Sequence, residues 1–379
     1  MKIGFEAKRI FRNFTGLGNY SRAVVKNLSK NFAEHQYILY TPKVNPINTS
    51  LNLKAKNIQI KTPSSKLFSA IWRIWGVSKT LVKDRIDIFH GLSGEIPLNI
   101  HQYNIPAVVT IHDLIYLRYP HYFKPIDRAI YHYKFKQACI NADRIIAISE
   151  QTKRDIIQFF GIDNNKVDVV YQGCDKVFHS NYPQKQLKEV QDKYQLPECF
   201  ILCVGTIEFR KNQLLILKAL KMLKADVALI LVGKPTNYKE ELLSYIDQNN
   251  LQHKVRFLEN IPFTDLPLIY NLARIFVYPS RFEGFGIPVL EAISCGIPTI
   301  GATGSCLEEA GGPNCIYVSP DDEQQLAKSI DTIMLSEEIR NTMISKSFEY
   351  ASQFSEDQIA NNLMEVYKRT LENVKRRSQ

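Results

Sequence analysis

The sequence predicts an α/β chain made of two doubly wound halves. A length of 379 residues is enough for two domains of common size, each with its own core. Short apolar runs suited to buried strands alternate with stretches of helical period, and that alternation restarts after a polar, lysine-rich interval. Apolar residues make up 45 % and charged residues 23 % of the chain, the balance of a soluble globular class. No apolar run approaches the ~18 residues of a membrane span, and MKIGFEAKRI reads as a first strand rather than a signal peptide. A cytoplasmic location is expected.

Residues 2–6 form a short strand pattern. An irregular basic loop follows, then Thr15-Gly16-Leu17-Gly18-Asn19-Tyr20 and a helical pattern through Leu28. Glycines between a strand and a helix let backbone amides approach a phosphate. The dinucleotide fingerprint fits poorly here, because the glycines lie far from the strand and Ser21 stands where a third glycine would be. Residues 37–40 and 58–60 read as strands. The stretch KLFSAIWRIWGVSKTLVK over 66–83 is apolar at helical spacing with basic residues interleaved. Either it packs on the core, or it lays Trp72 and Trp75 against a bilayer interface.

Asp87-Ile88-Phe89-His90-Gly91 and residues 107–111 are strands, and His112-Asp113 follow at the carboxyl edge where open α/β sheets bind ligands. Residues 116–133 are crowded with tyrosine, histidine and basic side chains. They suit a carbohydrate or lipid-linked acceptor groove, or a helix packed on its aromatic side. A strand over 143–149, a helix over 150–160 and a strand over 167–171 complete the first half. The polar region over 176–197 is the expected interdomain connection.

In the second half, strands are expected at 200–204, 227–232, 255–258 and 275–278, and 299–300 continue the sheet. Gly205, Thr206, Arg210 and Lys211 follow the first of these and precede a helix. Two cations at a positive helix end favour a diphosphate, with arginine forking two oxygens and lysine acting as a point charge. Arg274 to Pro298 give strand, loop and helix in turn, with Pro288 at the helix start and Gly296 and Pro298 at its end. Glu283 lies on the loop and Glu291 about one turn into the helix. Amides near Gly284, Phe285, Gly286 and Ile287 form an anion pocket between the two acids.

Charge is lopsided. Residues 1–83 hold fifteen Lys and Arg against Glu6 and Glu34, a net of +13, whereas the whole chain is +10. A face this basic should meet something anionic. Nucleic acid is disfavoured because no recognised binding module occurs. The seven cysteines form no C-x-x-C pair and the histidines no H-E-x-x-H helix, so reduced thiols and no metal site are expected.

The run Glu283-Gly284-Phe285-Gly286-Ile287-Pro288-Val289-Leu290-Glu291-Ala292 resembles the E-x7-E signature of the retaining glycosyltransferases of family 4, enzymes of the GT-B fold. The likeness spans almost the whole chain, tightest over 200–321 and loosest over 40–85. It implies two Rossmann-like domains facing across a cleft: 1–180 for the acceptor, 181–355 for the donor, and 356–379 as a helix crossing back to the first. Glu283 would hold hydroxyls of the donor sugar and Glu291 the ribose. Val204-Gly205-Thr206 with Arg210-Lys211-Asn212 is similar to the family's phosphate motif, although Phe209 replaces a common proline. Gly16 and Gly18 would touch the donor diphosphate. Thr110-Ile111-His112-Asp113-Leu114 resembles the histidine motif near the sugar and the acceptor.

The implied reaction moves a sugar from a nucleotide diphosphate to an acceptor hydroxyl with its anomeric configuration kept. The leaving phosphate takes the proton. No Asp-x-Asp triplet occurs and Arg210 and Lys211 supply positive charge, so a metal-free reaction is expected. The HDLIYLRYP and VGTIEFRKN stretches look like members that use GDP-mannose, with UDP-sugars next. The expected acceptor is a glycan or lipid-linked intermediate of surface polysaccharide. An anionic membrane surface is an expected partner, which would place the protein peripherally on the inner face of the cell membrane. Rival readings are a sugar-nucleotide epimerase of the same fold, a nicotinamide-dependent oxidoreductase and a non-catalytic nucleotide- or glycan-binding protein.

Overall fold

All the strand pairings among the described residues are parallel. The computed structural model describes residues 1–13, 15–44, 55–64, 68–179 and 181–377; Lys66 and Leu67, at the head of the 66–83 stretch, lie outside them. The first sheet contains β1 (Lys2–Glu6), β2 (Gln36–Tyr40), β3 (Ile58–Lys61), β4 (Ile88–Gly91), β5 (Ala107–Ile111), β6 (Arg144–Ala147) and β7 (Val167–Val169). Its order is β3-β2-β1-β4-β5-β6-β7. The second contains β8 (Phe200–Val204), β9 (Ala228–Val232), β10 (Val255–Leu258), β11 (Ile275–Tyr278), β12 (Thr299–Ala302) and β13 (Ile316–Val318), in the order β10-β9-β8-β11-β12-β13. Both orders run outward in two directions from a central pair, the doubly wound arrangement that the alternation predicted.

Strands in such sheets are covered on both faces, so their sequences are continuously apolar rather than alternating. Every residue of β5 and of β8 is buried. The reversal of strand order lies between β1 and β4 in one sheet and between β8 and β11 in the other. Ligands of open α/β sheets bind at that point, beyond the carboxyl ends of the strands.

The chain divides into one unit of Met1–Gln172 with Glu356–Gln379 and a second of Gly173–Ser355. The division therefore falls ahead of residue 180, where composition suggested it. Phe178 explains the difference, since its ring packs edge-on against Phe263 and Tyr270 of the second unit, 5.9 and 5.5 Å between centroids. The polar stretch beyond it is a helix, Gln184–Lys193, rather than a bare linker. Lys193 and Tyr194 tie the end of that helix to Asp265 at 2.7 and 2.6 Å.

Two further local expectations differ from the structure. The basic segment after β1 is a helix, Lys8–Arg12, because Ile10 and Phe11 turn into the core while the arginines stay outside. Within 66–83, the described residues run through Ser69–Ile71, a π-turn at Trp72–Gly76 and the helix Val77–Asp84. Val77 and Leu81 are buried, whereas Phe68, Ile71 and Trp75 are exposed. Arg73 on the π-turn pairs with Glu95 and reaches Glu6 at 3.5 Å. One side of the stretch thus packs on the core and the other carries apolar side chains to the surface.

Candidate active site

The cationic pair comes from the turn after β8. Phe209–Lys211 form one turn of 3-10 helix, and Asn212 then takes a left-handed conformation at φ 58°. Asn212 Nδ2 donates to the Pro279 and Pro320 carbonyls at 3.2 and 2.8 Å, which locks the turn against the segments after β11 and β13. Arg210 and Lys211 are thereby held beside Glu283, across the reversal of strand order in the second sheet.

Glu283 accepts on one oxygen from every side. Its Oε1 lies 2.6 Å from Lys211 Nζ, 2.8 Å from Arg210 Nη1, 2.5 Å from Ser280 Oγ and 3.2 Å from the Tyr278 hydroxyl. Oε2 has no partner among the described residues. Burial alone would raise the Glu283 pKa, but Lys211 and Arg210 overcome it and hold the carboxyl down at about 2. Burial works against the charge of Arg210, yet Glu283 and Glu208 raise its pKa above the usual value. Lys211 Nζ also stands 4.9 Å from the centre of the Tyr278 ring and bonds its hydroxyl. Two fixed cations and one ionised acid with an open oxygen can take a diphosphate and a sugar hydroxyl side by side.

The loop and helix after β11 supply the amides. Gly286 has φ 122°, and a Cβ there would come within 2.8 Å of Leu307 Cδ2, so only glycine fits. The helix is Ile287–Ser294, with Pro288 in its first turn. The amides of Gly286 and Ile287 precede its first internal hydrogen bonds and carry its positive end. Cys306 Sγ secures the loop by donating to the carbonyls of Glu283 and Phe285 at 3.0 and 2.9 Å. Gly205 directly follows β8 at φ 149°, and Thr206 follows it.

Glu291 lies in quite different surroundings. The Tyr270 hydroxyl donates to its Oε2 at 2.9 Å. Burial, with Asp175 nearby, pushes its pKa up to about 8 against that hydrogen bond. The two acids of the E-x7-E run are thus held in opposite protonation states near neutral pH.

His112, Gly16 and Gly18 belong to the first unit. His112 Nε2 lies 2.9 Å from the Leu92 carbonyl. A carbonyl only accepts, so Nε2 carries the proton and Nδ1 presents a lone pair. Burial keeps the ring neutral, with its pKa lowered to about 4. Gly16 and Gly18 stand in the first turn of the helix Gly16–Asn31 rather than in an extended loop. Asn13 Oδ1 caps that helix by accepting from the Gly18 amide at 3.1 Å and from Thr15. A Cβ on Gly18 would lie 1.8 Å from the Asn13 carbonyl oxygen, whereas one on Gly16 would meet nothing within 4 Å among the described residues.

Tyr278, Ser280 and Asn212 also shape the site; Asn212 stands within the phosphate motif of the sequence, without a role of its own there. Ser280 opens the polar loop and was visible as such. Tyr278 reads as a core strand residue, and only the fold brings its hydroxyl to Glu283. Among the described residues, no group of three or more His, Cys, Asp or Glu is placed to hold a metal ion.

Known proteins match both halves of this chain. Residues 14–177 match the family model described as Glycosyltransferase Family 4, and residues 184–350 match that described as Glycosyl transferases group 1. The O-antigen chain mannosyltransferase B of Escherichia coli is 28 % identical over 97 % of this chain and 100 % of its own length. The O-antigen chain mannosyltransferase RfbU of Salmonella typhimurium is 29 % identical over 59 % of this chain and 60 % of its own. Anabaena HepE in complex with UDP and glucose superposes with a TM-score of 0.76 at 20 % identity, over 97 % of this chain and 99 % of that one. Sucrose-phosphate synthase from Thermosynechococcus elongatus gives 0.79 at 20 % identity, over 97 % and 98 %. With the fold shared at that level and both halves matched in sequence, this chain belongs to glycosyltransferase family 4 and is a glycosyltransferase of the GT-B fold.

Proposed function

We propose that the enzyme transfers a mannosyl group from GDP-mannose, with retention and without a divalent metal, to a glycan or lipid-linked acceptor of a surface polysaccharide. The observation that carries this reading is Glu283, one oxygen saturated by Lys211, Arg210, Ser280 and Tyr278 and the other open. The saturated side belongs with the diphosphate, and the open oxygen accepts a hydroxyl of the sugar. Names of the relatives, both O-antigen mannosyltransferases, support mannose and a polysaccharide product.

In the reaction, the bond between the anomeric carbon and the diphosphate oxygen breaks, and the acceptor oxygen bonds to the same face of that carbon. The acceptor proton passes to the leaving phosphate. Positive charge on the anomeric carbon is matched by Glu283. Negative charge on the leaving group is met by Arg210, Lys211 and the Gly286 and Ile287 amides, all set in place before the reaction begins. Glu291 takes the ribose hydroxyls. The reading of Gly16 and Gly18 as diphosphate contacts and of His112 as a sugar contact rests on the family resemblance alone.

A second observation supports membrane association as part of this proposal. On the helix Pro125–Asn141, Ile126, Ile130, Tyr133 and Ile140 are spaced to share one face and are exposed. Lys124 and Lys136 accompany them, and the first 83 residues are strongly basic. Apolar side chains among cations suit the anionic inner face of a membrane. No helix among the described residues is long and apolar enough to cross one.

A thermal-shift panel of nucleotide sugars tests the donor, because the right one stabilises the fold by mass action. GDP-mannose should raise the melting temperature most, and labelled product should carry mannose in the donor's anomeric configuration. A larger shift with UDP-sugars would replace the donor. Full turnover in Glu283→Ala would remove the site itself.

A further inference from the structure

Five side chains of the first unit form one line that ends at His112. The Tyr367 hydroxyl, on the terminal helix Glu356–Arg377, is 2.7 Å from His90 Nδ1. His90 Nε2 is 2.8 Å from Thr110 Oγ1, and that oxygen is 3.2 Å from the Tyr20 hydroxyl. The Tyr20 ring then meets the His112 ring at 89°, with centroids 4.6 Å apart. Tyr367, His90 and Thr110 are wholly buried, and Tyr20 is 7 % exposed.

Burial, with His112 nearby, lowers the His90 pKa to about 3, so its ring is neutral. A neutral imidazole donates at one nitrogen and accepts at the other. In one arrangement Tyr367 donates to His90, His90 to Thr110, and Thr110 to Tyr20. In the other, all three bonds run the opposite way. In the first arrangement Thr110 Oγ1 accepts from His90 and donates to Tyr20, and in the second it accepts from Tyr20 and donates to His90. Valine at 110 and phenylalanine at 20 and 367 would fill nearly the same space with no polar atoms to satisfy. A buried polar line that is fully paired instead selects one arrangement of its members.

We infer that Thr110, backed by His90 and Tyr367, is a positioning residue for glycosyl transfer: the line sets the Tyr20 ring, and Tyr20 sets His112. The seating of the terminal helix is thereby registered at the histidine. This inference rests on the reading of His112 as a residue that contacts the donor sugar. Tyr20 also lies on the helix whose first turn holds Gly16 and Gly18, so one ring couples both first-unit contributions.

The test uses the full chain with GDP-mannose, reading kcat and KM for donor turnover and the imidazole nitrogen resonances of His112. Thr110→Val should lower kcat about tenfold while donor KM stays within about twofold, and Thr110→Ser should recover most of the rate. Tyr367→Phe should lower kcat in the same direction. Combining it with Thr110→Val should cost no more than Thr110→Val alone, because both break one line. Each of the two single variants should also shift the His112 resonances. Independent, additive losses, or an unchanged kcat in Thr110→Val, overturn the inference. His112→Ala separates the two layers. If it leaves turnover intact, the reading of His112 fails and takes the inference with it; if it stops turnover while Thr110→Val does not slow it, only the inference falls.

Discussion

Glu283 and Glu291 are chemically identical and eight positions apart, yet their surroundings drive them in opposite directions. Glu283 has its pKa lowered from 4.5 to about 2, so its ionised form stabilises the fold. That contribution is complete above the ordinary value and is lost as pH falls through about 2. Glu291 has its pKa raised from 4.5 to about 8, so ionising it costs stability. The fold is most favoured with Glu291 neutral and loses that advantage as pH rises from about 4.5 through about 8. Glu291→Gln keeps an acceptor for Tyr270 and removes the titration. Relative to the parent it should gain about 4 kcal/mol between about pH 5 and about pH 9 in urea unfolding. A pH-independent difference would dismiss the assignment. Both glutamates were legible in the sequence because their spacing, the glycines and the proline lie within one segment. Their protonation states were not legible, since Lys211, Tyr278 and Tyr270 reach them only through the fold.

Among the elements, the two glycines at the start of the Gly16–Asn31 helix do different work. Gly18→Ala forces a methyl group onto the Asn13 carbonyl and should cost about 2 kcal/mol of stability. Gly16→Ala meets no described residue in a first helical turn and should stabilise by about 0.5 kcal/mol. If a diphosphate approaches that turn, Gly16→Ala should nevertheless raise donor KM about fivefold. Urea unfolding and donor kinetics on both variants check this; unchanged KM in Gly16→Ala would move the phosphate elsewhere. The strands were readable because parallel, doubly covered strands are continuous apolar runs. Helices that bury little were not. Lys8–Arg12 turns only Ile10 and Phe11 inward, and Gln184–Lys193 buries Val190 alone, so neither shows a long apolar stripe. The π-turn at Trp72–Gly76 likewise leaves no mark in a pattern read at helical period.

For the whole molecule, the excess of positive charge in residues 1–83 and the apolar side chains of the Pro125–Asn141 helix make one prediction. Vesicles containing anionic phospholipid should sediment the protein. Salt should release it, because the Debye length shrinks to about 3 Å at 1 M. Replacing Ile126 and Ile130 together by serine should weaken the residual, salt-resistant binding. Equal sedimentation with purely neutral vesicles would count against a charge-guided surface. The fold class was written in the order of strand and helix, and the family in the E-x7-E segment. The division of the chain was blurred because polarity alone marks solvent, whereas Phe178 commits its neighbours to the second unit.

The grip of Lys211 and Arg210 on Glu283 also bears on how the enzyme lets go. An arriving anion must compete with an acid that the protein carries itself, so stray inorganic phosphate should make a feeble inhibitor. In the proposed reaction, a departing nucleoside diphosphate would leave two cations already paired with Glu283 and Glu208. Under that proposal, affinity surrendered on arrival would be returned as speed of product release.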